Sequence, residues 1–175
     1  ISYNNDGTVE SKQTFQGKND DSSWARGQAW AIYGYTACFR ETNDSIFLNF
    51  AKDIADMIMD RVKTEDAIPY WDYDAPVTKE TPRDVSAASV TASAMIELST
   101  MVPDGQKYLD YAEKILKSLS SDAYLAKVGD NQGFILMHSV GSLPNGSEID
   151  TPLNYADYYY LEALKRFMEL KKLRV

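Results

Sequence analysis

Apolar residues return at helical spacing along most of this chain, and five separate stretches carry the pattern. The first opens at Ser22-Ser23-Trp24 and continues through Ile32, Tyr35 and Phe39 to about Glu41. Either serine can cap it, because a hydroxyl there accepts from an unpaired N–H of the first turn. Asn43-Asp44 then opens a second helix with Phe47, Phe50, Ala51, Ile54, Ile58 and Val62 as its stripe. So short a connection predicts antiparallel neighbours. A third helix starts near Asp84 and is crowded with small residues: Ala87, Ala88, Ala92, Ser93 and Ala94. Such a helix lets its neighbours come close and is expected to be buried on most sides. A fourth runs from about Asp104 to Ser120, with Tyr108, Tyr111, Ala112, Ile115, Leu116 and Leu119 inward. The fifth begins at Asp150 or Thr151, where Pro152 suits a first turn, and runs to about Lys172.

Between these stretches the pattern breaks. Residues 1–21 are polar and rich in turn formers, an irregular lead-in in which Tyr3 and Thr8-Val9 can pair as a short hairpin. Residues 64–83 carry Pro69, Pro76 and Pro82 and read as a loop. Phe134 to Met137 is either a strand or a buried loop, and Gly141 to Asp150 is a turn-rich loop. The third helix is dominated by small residues, and the first and fifth are rich in aromatics. The second and fourth carry Lys, Asp and Glu faces. This alternation predicts stacked helical hairpins with an inner and an outer layer, each relying on its neighbours for burial.

With 175 residues, of which 44% are hydrophobic, one domain with a sizeable core is expected over 1–175. A net charge of -8 makes nucleic acid a poor partner. No run is apolar and long enough to predict a membrane span. Cys38 stands alone, and its neighbours Ala37 and Phe39 predict a core position.

Candidate chemistry gathers at three places and at one lone histidine. Trp24 and Gln28 are four residues apart on one helical face, and Arg26 and Trp30 share another. An indole covers the C–H face of a sugar ring and an amide bonds its hydroxyls, so this stretch is either a sugar site or a helix start packed with core tryptophans. The loop Tyr70-Trp71-Asp72-Tyr73-Asp74 sets two acids among aromatics. It is either a glycosidase acid/base pair or a loop whose acids hold backbone amides. Arg83 and Ser86 flank a helix start, where an anion can be held; Arg83 serves equally as a structural ion pair with Asp84 or another acid. His138, the single histidine, is either a ligand contact or structural. No Cys/His cluster suggests a metal, and no cofactor is implied.

The blocks Ser22-Ser23-Trp24-Ala25-Arg26-Gly27-Gln28-Ala29-Trp30, Pro69 to Pro76, Arg83 to Ala88 and Tyr155 to Leu164 resemble, in this order, glycoside hydrolase family 88, the unsaturated glucuronyl hydrolases. Gln28-Ala29 favours this family over the neighbouring unsaturated rhamnogalacturonyl hydrolases, which tend to carry Asn-Gly there. The resemblance implies an all-α fold, an α/α toroid of the six-hairpin glycosidase type, of which five helices form an incomplete barrel. It implies that this chain is a C-terminal part whose partner is a missing N-terminal half or a second copy. The substrate implied is an oligosaccharide ending in a 4,5-unsaturated uronic acid, left by a polysaccharide lyase. An aspartic acid of the intact enzyme protonates the vinyl ether, water adds at C5, and the product opens to release the aglycone. The family's two catalytic aspartates lie upstream of Trp24-Ala25-Arg26-Gly27-Gln28 and have no counterpart here. The chain is therefore expected to contribute substrate-binding walls from Trp24, Gln28, Trp30, Trp71 at the rim, Arg83, Ser86 and His138, and to be inactive alone. The rival expectations are a catalytically inactive carbohydrate-binding or structural half-barrel fragment and an unsaturated rhamnogalacturonyl hydrolase relative. Phe15 stands where the family has a histidine.

Overall fold

The computed structural model describes residues 1–172. A small hairpin comes first, β1 (Ser2–Tyr3) against β2 (Val9–Ser11). Then follow α1 (Ala25–Thr42), α2 (Ser45–Arg61), α3 (Val85–Ser99) and α4 (Gln106–Leu119). A second antiparallel hairpin, β3 (Ser139–Ser142) with β4 (Ser147–Thr151), precedes α5 (Asn154–Lys172).

Local chemistry sets the boundaries. Asn43 takes the left-handed conformation at φ 55° and returns its N–H to the Phe39 carbonyl at 2.8 Å, ending α1. Asp44 accepts from the Ile46 amide at 3.0 Å and opens α2. The two-residue connection folds α2 back on α1. Between α3 and α4 the chain reverses at Gly105, where a Cβ would fall 2.0 Å from the Ser99 carbonyl oxygen. Only glycine fits that approach.

α3 lies at the centre. All its residues except Glu97 are buried, and it packs against α1, α4 and α5. The small residues along it allow this close approach on three sides. α2 lies behind α1, and α4 packs on α3 and α5, so α1, α3 and α5 form one layer and α2 and α4 the other. Ile32, Ile58, Ile68, Met95, Leu98, Tyr108, Ile115 and Leu136 fill the main core.

Four local expectations are corrected. Trp24, not a serine, occupies the cap position of α1, and no side chain caps it, because Ser22 and Ser23 turn to other partners. Residues 141–150 are not a loop but most of the β3–β4 hairpin, and α5 starts only at Asn154, since Thr151 ends β4. Cys38 is exposed. Tyr160 of α5 is core, its hydroxyl 2.8 Å from Ser120 Oγ. The stretch 134–137 forms no extended strand. Asp157 holds the amides of Ile135 and Leu136 at 2.8 and 2.9 Å, and Leu136 bridges to Leu125.

Candidate functional site

The starts of α1, α3 and α5 meet at one end of the inner layer, and Arg26 ties them together. Its side chain is almost fully buried. Nη1 donates to Asp84 Oδ2 at 3.0 Å, to Ser86 Oγ at 3.2 Å and to the Val140 carbonyl. Nη2 donates to the Gly141 carbonyl at 2.6 Å and to Gln16 Oε1 at 3.4 Å. The guanidinium carbon lies 4.7 Å from the Trp24 ring centre and 5.4 Å from that of Tyr155, a cation held by two π faces. Trp24 lies close over Gly27, where an added Cβ would come within 2.7 Å of the indole.

Asp84 is completely buried. Its Oδ1 accepts from the Ser86 amide at 3.0 Å, the Ser86 hydroxyl at 2.6 Å and the Ala87 amide at 3.4 Å. Burial pushes its carboxyl above the ordinary value, and the Arg26 charge and these donors pull it back. The carboxylate caps α3 and neutralises the arginine that anchors α1 and β3.

The loop acids are spent on backbone. Asp72, also fully buried, accepts from the Lys18 amide at 2.9 Å, Ser22 Oγ at 2.7 Å and the Asp74 amide at 2.9 Å. Asp74 accepts from the Ser23 amide at 2.9 Å and Arg61 Nη2 at 2.6 Å. Of the two readings of this loop, the tethering one fits: both acids staple the lead-in and the start of α1 onto it.

The expected wall residues divide. Trp24 and Gln28 line one open depression of about 410 Å³ with Lys12, Gln13, Thr14 and Asp20. The Gln28 side-chain amide makes no protein hydrogen bond among the described residues, so an indole and a free amide share that hollow. Trp30 lies further along the layer, 5.0 Å from Tyr159 and 6.5 Å from Tyr155. Trp24, Arg26, Tyr155, Trp30 and Tyr159 thus form a continuous run, extended by Tyr33 at 5.1 Å from Tyr159. The Tyr33 hydroxyl donates to Glu162 at 3.1 Å; burial, then the Glu162 charge, pushes it up to about 12.

Other expected residues are placed differently. Trp71 is not on a rim: it is 6% exposed and packs with Ala75, Val140 and Trp24 in a small second core. Ser86 is buried, its hydroxyl committed to Asp84. Arg83 does not pair with Asp84, which Arg26 has taken. It pairs with Asp66 at 3.3 Å, donates to the Ile68 carbonyl and stacks 4.6 Å over Tyr70. His138 Nδ1 lies 2.6 Å from Asp150 Oδ1 in an exposed pair, with the His138 backbone at φ 68°.

Gln16, Arg26 and Tyr155 were not expected as a unit. One signal for Arg26 was present: a charge between Ala25 and Gly27 at a helix start otherwise free of charge. No helical or strand period pointed to Gln16, which lies in the irregular lead-in, or to Tyr155, which meets Arg26 from the far end of the chain. Among the described residues no group of three His, Cys, Asp or Glu side chains is placed to hold a metal ion, and no helix is long and apolar enough to cross a membrane.

Against known proteins, the model of glycosyl hydrolase family 47 matches residues 27–165. The chain belongs to the glycosyl hydrolases. Its individual relatives are unsaturated glucuronyl hydrolases. An unsaturated glucuronyl hydrolase of Formosa agariphila is 47% identical over 94% of this chain and 41% of its own. A solved unsaturated glucuronyl hydrolase specific for heparin is 57% identical with a TM-score of 0.95, over 98% of this chain and 47% of that one. A Streptococcus agalactiae unsaturated glucuronyl hydrolase mutant complexed with dGlcA-GalNAc6S is 32% identical with a TM-score of 0.83, over 95% of this chain and 45% of that one. This glycosyl hydrolase chain spans less than half the length of each of these relatives. The five α-helices of the described residues form an arc of their α/α toroid, the incomplete barrel that the family resemblance implied.

Proposed function

We propose that this chain is part of a family 88 unsaturated glucuronyl hydrolase and supplies part of its substrate-binding wall. The carrying observation is the TM-score of 0.95 at 57% identity to the heparin-specific enzyme. The hollow shared by Trp24 and Gln28 supports the role: the indole takes the C–H face of a pyranose, and the unpartnered amide takes its hydroxyls. The substrate class is an oligosaccharide whose terminal uronic acid carries a C4=C5 double bond.

In the intact enzyme an acid delivers a proton to C4, water adds at C5, and the hemiketal opens with release of the aglycone. This chain's buried carboxylates do not serve that step. Asp72 is filled by three donors, and Asp84 is locked to Arg26 and the start of α3. Arg26 acts as a positioning residue that holds Trp24 over the depression. The exposed α5 residues Tyr158, Leu161 and Met168 form the flank that meets the rest of the ring or a second copy.

The test follows the ultraviolet absorbance of the double bond with unsaturated heparin and chondroitin disaccharides. The chain alone leaves the absorbance unchanged. In a protein that includes the upstream half, Trp24→Ala and Gln28→Ala raise KM about tenfold or more with a smaller change in kcat. Turnover by the chain alone that disappears in Asp72→Asn would overturn the assignment and make the 70–74 loop catalytic.

A further inference from the structure

A second hollow lies behind the inner layer, outside the wall just described. It encloses about 290 Å³ between the end of α2 and the loop 62–83, and Arg61, Lys63, Tyr70, Tyr73, Val77 and Arg83 are among its lining residues. We propose that it is a separate subsite for one anionic pyranose ring, a uronate or a sulfated hexose, independent of any double bond.

Three observations converge on that ligand. First, the volume suits one sugar ring and lies at the lower end of small-molecule pockets. Second, three cationic side chains line it. The single lining acid, Asp72, has its oxygens filled by Lys18, Ser22 and Asp74. Each cation already pairs with one carboxylate that does not line the hollow: Asp74 for Arg61, Asp60 for Lys63 and Asp66 for Arg83. What remains is donor capacity. Arg61 uses Nη1 on Ser23 Oγ and Nη2 on Asp74, and Arg83 uses Nη1 alone, on Asp66 and Ile68. Arg83 Nε and Nη2 therefore have no protein partner among the described residues, nor has Arg61 Nε. A guanidinium fork with free N–H groups fits a carboxylate or sulfate. Third, the arginines are pre-set. Arg83 lies 4.6 Å over Tyr70 and Arg61 5.8 Å from Tyr73, so little side-chain freedom is lost on binding. Aromatic and aliphatic walls from Tyr70, Tyr73, Val62 and Val77 then meet the ring's C–H face.

The inference takes its ligand class from the proposed glycosidase role, but its probes carry no C4=C5 bond, so it stands or falls without any turnover. The experiment titrates the labelled chain with glucuronate, glucose 6-sulfate, glucose and inorganic sulfate, following backbone amide shifts. Glucuronate or glucose 6-sulfate, or both, should move the amides of Lys63, Thr64, Tyr70 and Val77, at least tenfold more tightly than glucose or free sulfate. Val77 is 79% exposed, so Val77→Glu adds a negative charge at the lining without disturbing the core. It should weaken the anionic sugars at least tenfold and leave the melting temperature unchanged. Arg83→Gln should weaken them as well. Shifts confined to Trp24 and Gln28, equal affinity for glucose, free sulfate binding as tightly as its sugar ester, or a Val77→Glu chain that binds normally would each overturn the proposal.

Discussion

Two aspartates, Asp72 and Asp84, are both fully buried beside the start of an inner helix, yet they do opposite work. Asp84 caps its own helix through residues two and three positions on, and holds a cation besides. Asp72 caps no helix. It reaches back to Lys18 and Ser22, 54 and 50 residues away, and holds neutral donors only. α1 is left without a side-chain cap because the Ser22 hydroxyl serves this loop and the Ser23 hydroxyl accepts from Arg61. The contrast teaches that burial alone does not identify an acid's role. The partner does: Asp84 joins α1 and α3 through a charge, whereas Asp72 joins the lead-in to the 70–74 loop through an amide and a hydroxyl.

The most damaging test of this contrast is Arg26→Ala. It leaves the Asp84 charge buried and unpaired, which costs about 3–5 kcal/mol, read as a lower denaturant midpoint. Adding Asp84→Asn should recover part of the loss, since the orphaned charge is gone. A single variant within about 1 kcal/mol of the parent would show that the pair does not join the helix starts.

Asp72→Asn should cost less, about 2–3 kcal/mol, because a carboxylate accepting from three donors becomes an amide that can satisfy only some of them. Its signature is local. Hydrogen exchange should accelerate at Lys18 and Asp74 while the Ser86 and Ala87 amides stay protected. Exchange rising equally at both helix starts would erase the distinction between the two acids.

Asp44→Ala, removing a cap with neither ion pair nor tether, should cost about 1 kcal/mol. It serves as the yardstick for what capping alone contributes to Asp84's role.

The smallest effect expected is the pH response at Asp66. Burial acts to raise its carboxyl, but bonds from the Tyr124 hydroxyl and the Ile68 amide, with the Arg83 charge, hold it below its ordinary 3.8. A carboxyl depressed in the folded state stabilises above its unfolded value, and that contribution fades as pH falls through the folded one. Stability should therefore drop below about pH 4, and Asp66→Asn should flatten that limb of the melting-temperature profile. An unchanged limb would remove Asp66 from the acid response.

By itself the sequence determined the helical architecture, because helical period, capping residues and turn formers are local signals. Five stripes, Asn43-Asp44 between two helices, Asp84 before a third and a central helix of small residues lead directly to stacked hairpins in two layers. The blocks from Trp24 to Leu164 were equally legible as a resemblance to glycosidases of the unsaturated glucuronyl class. Only the tertiary structure decided which polar groups are free. Trp24 and Gln28 share a hollow, but Trp71 is sealed in a small core and Ser86 is bonded to Asp84. Arg83 lines a different cavity, and Arg26 became the hub. Those outcomes depend on partners tens of residues away, such as Val140 and Gly141 for Arg26 or Lys18 for Asp72. The β3–β4 hairpin was missed for a related reason: its residues carry turn chemistry, and only pairing across the chain reversal, with the Val140 and Gly141 carbonyls held by Arg26, makes strands of them. Side-chain period reports which face of an element is apolar, and a long-range hydrogen bond leaves no mark on that period.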